Sequence, residues 1–230
     1  DKLLQIYVTS SNAYVCIFVD EGLGGGVNNS QLQKSVCCVT DEFSAVNCLE
    51  TIKQGFEVKL LICYETREDV IHLVKIIDKI LPRMLKAEIE IEFHKISKFG
   101  KNSEGVLSKN TLITNILIKS AKERKISYIS LATSPLIFPS TYVETLQKRV
   151  FSAGMIPHIS LSGIDSEIMK NAKEIGMEKY ILKIEKFLKT DFSKSKQKQN
   201  KNVKITKKII KIKLGPNNVH TILDSLEIEH

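Results

Sequence analysis

Two neighbouring carboxylates in one turn are the first side chains of this sequence that could take part in chemistry. Asp41 and Glu42 lie between Thr40 and Phe43, directly after the apolar run 35–39. In nucleotide-binding α/β folds this turn opens the first helix, and its backbone N–H groups hold a phosphate. The turn contains no glycine, so its backbone is not free to close around a phosphate. The carboxylates therefore need another explanation.

Two roles suit these carboxylates. In the first, Thr40 is the N-cap of the helix, and Asp41 and Glu42 stabilise its first turn by about 0.3–1 kcal/mol each through the helix dipole. In the second, they bind Mg²⁺, which then assists nucleotide binding. Without the metal, one carboxylate–phosphate contact at about 4 Å costs on the order of 4 kcal/mol. The first role is favoured, and the second stays open.

Strand-like and helix-like segments alternate along most of the chain. Continuous apolar runs predict strands covered on both faces. A three- to four-residue apolar spacing from Phe43 to Phe56 predicts a helix with one buried stripe that ends at Gly55. Thr141 and Glu144 form a capping-box pattern that predicts the start of a later helix. The alternation predicts right-handed crossovers and a doubly wound, mainly parallel α/β sheet.

Ligands of such a sheet bind beyond the carboxyl ends of its strands, here expected at 39–44, 64–67, 132–136 and 161–165. The partly alternating run 88–96 predicts a strand near an edge. His94 and His158 lie near strand ends and could face the cleft. The five cysteines and five histidines show no ligand spacing, so we expect neither disulfides nor a metal site.

The chain divides into three predicted regions. Residues 1–33 form a β-hairpin and a glycine-rich connector, 34–188 form the α/β domain, and 189–230 form a basic linker and a small C-terminal element. The net charge is +8, but nine lysines and no acidic residue lie between Ser193 and Thr221. Within that stretch, "VKITKKIIKIKLG" predicts a strand with one basic face.

No apolar run is long enough for a membrane span or a signal peptide, so we expect a cytoplasmic protein. The missing initiator Met suggests a fragment.

Several segments resemble one family in order and spacing. The segment "IPHISLSGIDSEIMKNAKEIGM" is similar to a late PLxGxDKxEIxxxAxxIGT element, and "LATSPLIFPSTYVETLQ" to a loop of the form TGxSLGQxASQTxxNL. The segment "AYVCIFVDEGLGGGVNNSQLQKSVCCVT" is similar to the passage that leaves an RNA-binding THUMP domain. Residues 1–182 thus resemble the PP-loop ATP pyrophosphatase domain of tRNA 4-thiouridine synthetases.

This resemblance implies a PP-loop ATPase fold and an ATP site. Members of the family adenylate a uridine oxygen in tRNA with ATP, and a protein persulfide then delivers sulfur. Mapping the family's motifs onto this sequence gives the nucleotide-binding positions, if binding is retained, as Val39, Thr40, Asp41, Glu42, Ser44, Thr133, Ser134 and Asp165.

The sequence also departs from the family at the points that carry its chemistry. The pyrophosphate loop SGGxDS falls on residues 39–44, where only Ser44 matches and Phe43 replaces the aspartate. The family's catalytic cysteine follows the IGT element, but this chain has no cysteine beyond Cys63. We therefore expect no catalytic residue and no cofactor. The predicted function is a non-catalytic relative of the synthetases that retains tRNA or partner binding.

Two alternatives stay open. The first is an active ATP-dependent tRNA-modifying enzyme with an altered loop, which would use ATP and Mg²⁺. The second is a nucleotide sensor without chemistry.

The lysine-rich stretch predicts contact with tRNA or other RNA, because lysines bind phosphates through counterion release. A solvated tail is the alternative. No membrane partner is expected, whereas a homo-oligomer or a partner protein is left open. The candidate RNA-binding residues are Lys194, Lys196, Lys198, Lys201, Lys204, Lys207 and Lys208.

Overall fold

The computed structural model describes residues 5–8, 13–16, 33–84, 86–100, 102–163, 166–173 and 205–228. Strands β1 (Gln5–Val8) and β2 (Ala13–Cys16) pair antiparallel in a two-stranded sheet, which confirms the predicted hairpin. The predicted strand at 179–184 and the helix end at Gly176 lie outside the described residues.

A second sheet of six strands forms the body of the protein. Its strands are β3 (Lys34–Val39), β4 (Glu57–Tyr64), β5 (Glu88–Lys95), β6 (Tyr128–Ser130), β7 (Ile156–His158) and β8 (Thr206–Lys213). The helices are α1 (Glu42–Lys53), α2 (Arg67–Ile77), α3 (Ser103–Arg124), α4 (Ser140–Ser152), α5 (Ser166–Ala172) and α6 (Asn218–Ser225), with a 3₁₀ turn at Leu81–Met84.

The strand order confirms the doubly wound α/β fold. Neighbours run β7-β6-β3-β4-β5-β8, and all pairs are parallel except β5 with β8. The chain winds outward from β3 through β4 to β5, then crosses back to β6 and β7. Strands β3 and β6 therefore flank the point where the winding direction reverses, which is where such sheets bind ligands.

Helix α1 is buried on all sides rather than along one stripe. Every residue from Glu42 to Ile52 is buried, because α1 packs on β3 and β4 and against both α2 and α5. Two of its buried polar side chains, Asn47 and Thr51, hydrogen-bond to serines of the core. Asn47 Nδ2 donates to Ser130 Oγ at 2.9 Å, and the Thr51 and Ser160 hydroxyls lie 2.6 Å apart. As predicted, α1 ends before Gly55, whose φ of 92° suits glycine.

Two predicted helix boundaries are wrong. The Thr141–Glu144 pattern does not cap α4: the N-cap is Pro139, without a side-chain bond, and Glu144 instead pairs with Lys148 at 2.8 Å. Helix α2 ends at Ile77 instead of near Pro82, which lies in the 3₁₀ turn.

Strand β5 is not at the edge, because β8 from the predicted C-terminal element pairs along its whole length. The strand predicted from the lysine-rich segment is therefore real and extends the main sheet. On β8, Ile210 and Ile212 are buried, whereas Lys211 and Lys213 on the other face are exposed. The proposed domain boundaries stay a prediction.

Among the described residues, no helix combines the length and apolar character that crossing a bilayer requires. The cysteines Cys37, Cys38, Cys48 and Cys63 are buried and unbridged.

Candidate functional site

The turn before α1 is closed by its own side chains. Asp41, not Thr40, is the N-cap: its Oδ1 accepts the Ser44 N–H at 2.8 Å. In return, Ser44 Oγ accepts the backbone N–H groups of Thr40 at 2.8 Å and Asp41 at 3.0 Å. This capping box satisfies three amides at the place where an anion would otherwise bind. The predicted self-capping is confirmed, with the cap one residue later than expected.

The next two residues of the turn point into the protein. Glu42 is buried, and its Oε1 lies 2.8 Å from Nε2 of His72 on α2. Phe43, at the position of the motif aspartate, is 3% exposed, and its ring packs against Phe138 with centroids 6.4 Å apart. Glu42 therefore turns to α2, and an apolar ring stands where the resemblance would place an acid.

A small cavity lies at the switch point between β3 and β6. Its volume is about 30 Å³, and Thr40, Asp41, Ser44 and Thr133 all line it. The structure thus brings together four of the eight predicted nucleotide-binding residues. Ligand pockets typically measure about 300–1,000 Å³, whereas this one has room for about one water.

A larger cleft of about 570 Å³ lies next to it, above the ends of β3 and β4. Its lining includes the carboxylates Asp41, Glu65 and Asp69 and the cations Lys98 and Lys109. This volume is in the range of small-molecule sites.

Lys109 on α3 joins the charges of this cleft. Its Nζ lies 3.0 Å from Glu65 Oε1, and the other Glu65 oxygen accepts the Phe99 N–H at 3.1 Å. Burial by itself lowers the pKa of Lys109, but the carboxylates of Asp41, Glu65 and Asp69 outweigh burial and raise it. The lysine is therefore a charged partner that neutralises the cleft's acids.

Neither Lys109 nor Asp69 was predicted from the sequence, and Glu65 was predicted only as part of a strand end. Glu65 could have been found because it ends a predicted strand, and Asp69 because it lies in the first turn of the helix that follows. Lys109 carried none, because the spacing along α3 does not tell which of its lysines points into the cleft.

The remaining predicted site residues have different environments. Val39 is fully buried in β3. Thr133 is 2% exposed, and its Oγ1 has no hydrogen-bond partner among the described residues. Ser134 is also buried and accepts the Leu136 N–H at 3.3 Å. Asp165 lies outside the described residues. No group of three or more His, Cys, Asp or Glu side chains in the described ranges is placed to hold a metal ion.

Two of the predicted RNA-binding lysines lie in β8 and bond to carboxylates. Lys207 Nζ lies 3.0 Å from Glu92 and 2.8 Å from Glu123, and Lys208 Nζ lies 3.1 Å from Glu227. The other candidates, Lys194, Lys196, Lys198, Lys201 and Lys204, lie outside the described residues. Contact with RNA stays a prediction for all of them.

Glu92 is the centre of a buried ionic cluster that holds β8 on the sheet. Besides Lys207, it bonds to His94 Nε2 at 2.7 Å, Arg124 Nη1 at 2.9 Å and Ser120 Oγ at 3.2 Å. Burial raises the pKa of Glu92, but the bonds from His94 and Lys207 and the charge of Arg124 outweigh it and lower the pKa to about 2.

Neither histidine considered for the cleft lies there. His94 belongs to the Glu92 cluster. His158 contacts Gln54, at the end of α1, with Nε2 and Oε1 2.6 Å apart, and its ring packs on Phe56.

Solved structures that resemble this chain include two crystal structures. A crystal structure of a 4-thiouridine synthetase–RNA complex with bound ATP has a TM-score of 0.55 and 17% sequence identity, and the match covers 78% of this chain and 50% of that one. A crystal structure of PH1313 from Pyrococcus horikoshii Ot3 has a TM-score of 0.47 and 15% identity, covering 75% of this chain and 50% of that one.

This chain thus spans about half the length of the solved structures it matches. No model of a known protein family matches it, and no curated protein does. The likeness to the synthetase shows that the six-stranded α/β sheet has a PP-loop ATPase-like fold.

Proposed function

We propose that this chain is a non-catalytic relative of tRNA 4-thiouridine synthetases, which keeps the ATPase scaffold and binds tRNA or a partner. The observation that carries the proposal is the capping box before α1. The N–H groups of Thr40, Asp41 and Ser44 already donate to side chains of the same turn. A phosphate could use these amides only by displacing the Asp41 carboxylate from the Ser44 N–H and the Ser44 hydroxyl from the other two.

That displacement is unfavourable for two reasons. Losing a side-chain N-cap costs about 0.5–2 kcal/mol. A displaced Asp41 would also remain beside the phosphate, and like charges at about 4 Å repel by on the order of 4 kcal/mol. The fold's usual phosphate position therefore favours the protein's own anion.

The side chains around the turn support the same conclusion. Phe43 and Phe138 fill the space next to the switch point, where the remaining cavity is about 30 Å³. The sequence offers no cysteine after Cys63 to carry sulfur. The scaffold is thus proposed to serve binding, without chemistry and without a cofactor.

One observation favours the alternative of an active ATP-dependent tRNA-modifying enzyme. The cleft of about 570 Å³ has room for a nucleotide, and carboxylates such as Asp41 and Asp69 are ligands that Mg²⁺ accepts. Against it, Glu42 bonds to His72, so Asp41 and Glu42 do not form the metal-binding pair considered from the sequence.

Titration calorimetry with ATP and Mg²⁺ tests the proposal. We expect no saturable heat up to millimolar ATP, while an active 4-thiouridine synthetase serves as the positive control. A pyrophosphate-release assay with a tRNA transcript accompanies it. Release of pyrophosphate would replace the proposal by the enzymatic alternative, and saturable ATP binding without release would replace it by the nucleotide sensor.

A further inference from the structure

Basic side chains crowd at the amino-end edge of the main sheet, opposite the cleft. Six of them belong to one network of contacts, which we call the amino-end cluster. They come from β3, β4, the segment before β5, the last turn of α3, and β8. The members are Lys34, Lys59, Lys86, Arg124, Lys211 and Lys213.

The carboxylates Glu57 and Glu90 bond to three of these cations, and Arg124 also bonds to Glu92. Lys86 bonds to Glu57, and Lys59 lies 3.9 Å from the same Glu57 oxygen. On the neighbouring strand, Arg124 bonds to Glu90.

The pairing of β5 with β8 brings in the two remaining lysines. Lys211 stands opposite Glu90 and Lys213 opposite Glu88. Residues directly opposite in an antiparallel pair project from the same face of the sheet. Six cations thus lie near four carboxylates, Glu57, Glu88, Glu90 and the Glu92 that pairs with Arg124, so the cluster keeps a surplus of positive charge.

The surplus positive charge contributes to the environment of Lys59. The pKa of Lys59 lies below its ordinary value, mainly through burial and then through the charge of Lys86, although Glu57 and Glu90 act in the opposite direction. Like charges held this close destabilise a folded protein unless a counter-charge approaches. The arrangement therefore indicates an anionic partner.

The balance of charge differs between the two ends of the strands. The cleft at the carboxyl ends has three carboxylates, Asp41, Glu65 and Asp69, against two lysines, Lys98 and Lys109. An extended polyanion is therefore attracted more strongly to the amino-end edge than to the cleft.

We infer that the amino-end cluster is a surface for the phosphate backbone of RNA, with Lys211 and Lys213 of β8 among its exposed contacts. The inference rests on the proposed function in that the partner is RNA. Lysine and arginine side chains suit contacts with phosphates, which carry no sequence information. Binding is thus expected to depend on salt and to show little sequence preference.

Fluorescence anisotropy with a labelled tRNA transcript tests this surface on the full chain between 50 and 200 mM salt. The charge reversal Lys211→Glu/Lys213→Glu should weaken binding by about tenfold or more. It should also reduce the slope of log affinity against log salt by about 1.8, since each phosphate contact contributes about 0.9. Lys75→Glu/Lys79→Glu makes the same charge change at exposed positions on and after α2, and should change affinity less than twofold.

A second substitution guards against disturbed pairing of β8. Lys211→Gln/Lys213→Gln cannot repel Glu88 or Glu90, and should give a smaller loss in the same direction with an unchanged melting temperature. Lys194→Glu/Lys196→Glu tests the preceding lysines separately.

Three results would overturn the inference: equal losses in the cluster and control variants, a loss confined to the Lys194/Lys196 variant, or no RNA binding by the wild type. Binding of an acidic protein without RNA binding belongs to the last of these. ATP binding in calorimetry would contradict the proposed function but not the inferred RNA surface. The failure of one can therefore be distinguished from the failure of the other.

Discussion

The charged groups at the two ends of the main sheet differ in how completely they are paired. At the carboxyl ends, the amides and acids satisfy one another: Asp41 and Ser44 cap α1, and Glu65 pairs with Lys109. At the amino ends, six cations lie near four carboxylates and part of the positive charge is left over. A region whose amides and acids are paired internally gains stability and loses affinity for ligands. A region with surplus charge loses stability and gains affinity for ligands of opposite charge.

Strand β8 connects these observations, because it carries two of the amino-end lysines and is held in place by Glu92. The largest predicted effect therefore comes from Glu92→Gln. The buried carboxylate bonds to three basic side chains, so we expect a loss of about 3 kcal/mol in the free energy of unfolding at pH 7. Urea unfolding measures it, and Glu88→Gln, at an exposed position on the same face of β5, should cost less than about 0.5 kcal/mol.

The pH dependence gives the sign of this contribution. Because the pKa of Glu92 falls to about 2 in the folded chain, its stabilisation is present above the unfolded value of about 4.5 and is lost as the pH falls towards 2. The difference between wild type and Glu92→Gln should thus be largest at neutral pH and shrink below pH 4.5. A difference independent of pH would contradict the charged state assigned to Glu92.

Lys109→Met should have the next largest effect. The substitution leaves Glu65, Asp41 and Asp69 without their shared counter-charge, and we expect a loss of about 2 kcal/mol at pH 7, reduced from that of a fully buried pair by partial exposure. Because the pKa of Lys109 is raised above its ordinary value of 10.5, the stabilisation is present below that value and disappears as the pH rises through the folded pKa.

Chemical denaturation at pH 7 and at pH 11–12 tests the Lys109 prediction. Lys122→Met removes an exposed lysine from the same helix and should change stability by less than about 0.5 kcal/mol. An equal effect of the two substitutions would show that the cleft's acids do not depend on Lys109.

Asp41→Ala removes the N-cap of α1 and should destabilise the chain by about 1 kcal/mol. Asp41→Asn keeps an oxygen that can cap, so its cost should be clearly smaller. Thermal unfolding of both variants separates the cap from the charge. If both lose the same stability, the hydrogen bond to the Ser44 N–H contributes little.

The smallest effect is expected at the amino-end cluster. Lys211→Gln/Lys213→Gln should leave the unfolding free energy within about 0.5 kcal/mol of wild type, or raise it slightly, because surplus like charge is removed. A large destabilisation would mean that these lysines hold β8 in place, and the contrast between the two edges would fail.

The sequence predicted those parts of the fold that depend on local pattern. The continuous apolar runs of β3 and β4 and the glycine after α1 marked their elements correctly. The full burial of α1 was missed because Asn47 and Thr51 look exposed by type, yet they bond to Ser130 and Ser160, about 80 to 110 residues away.

Long-range pairing also explains the wrong prediction that β5 lies near an edge of the sheet. The alternating glutamates of β5 suggested an edge strand, but they face lysines of β8, more than 110 residues later in the chain. At the candidate site, the acidic turn was recognised as self-capping from its composition alone. The choice of Asp41 over Thr40 as the cap required the actual hydrogen bonds, and Lys109 required the packing of α3 over the sheet.

Backbone amide NMR during titration with ATP and Mg²⁺ tests the central claim most directly, because it observes the N–H groups of Thr40, Asp41 and Ser44 individually. The capping box predicts that these three signals stay unchanged up to millimolar nucleotide. Saturable shifts of the same signals in the wild-type chain would show that phosphate displaces Asp41, and would contradict the account.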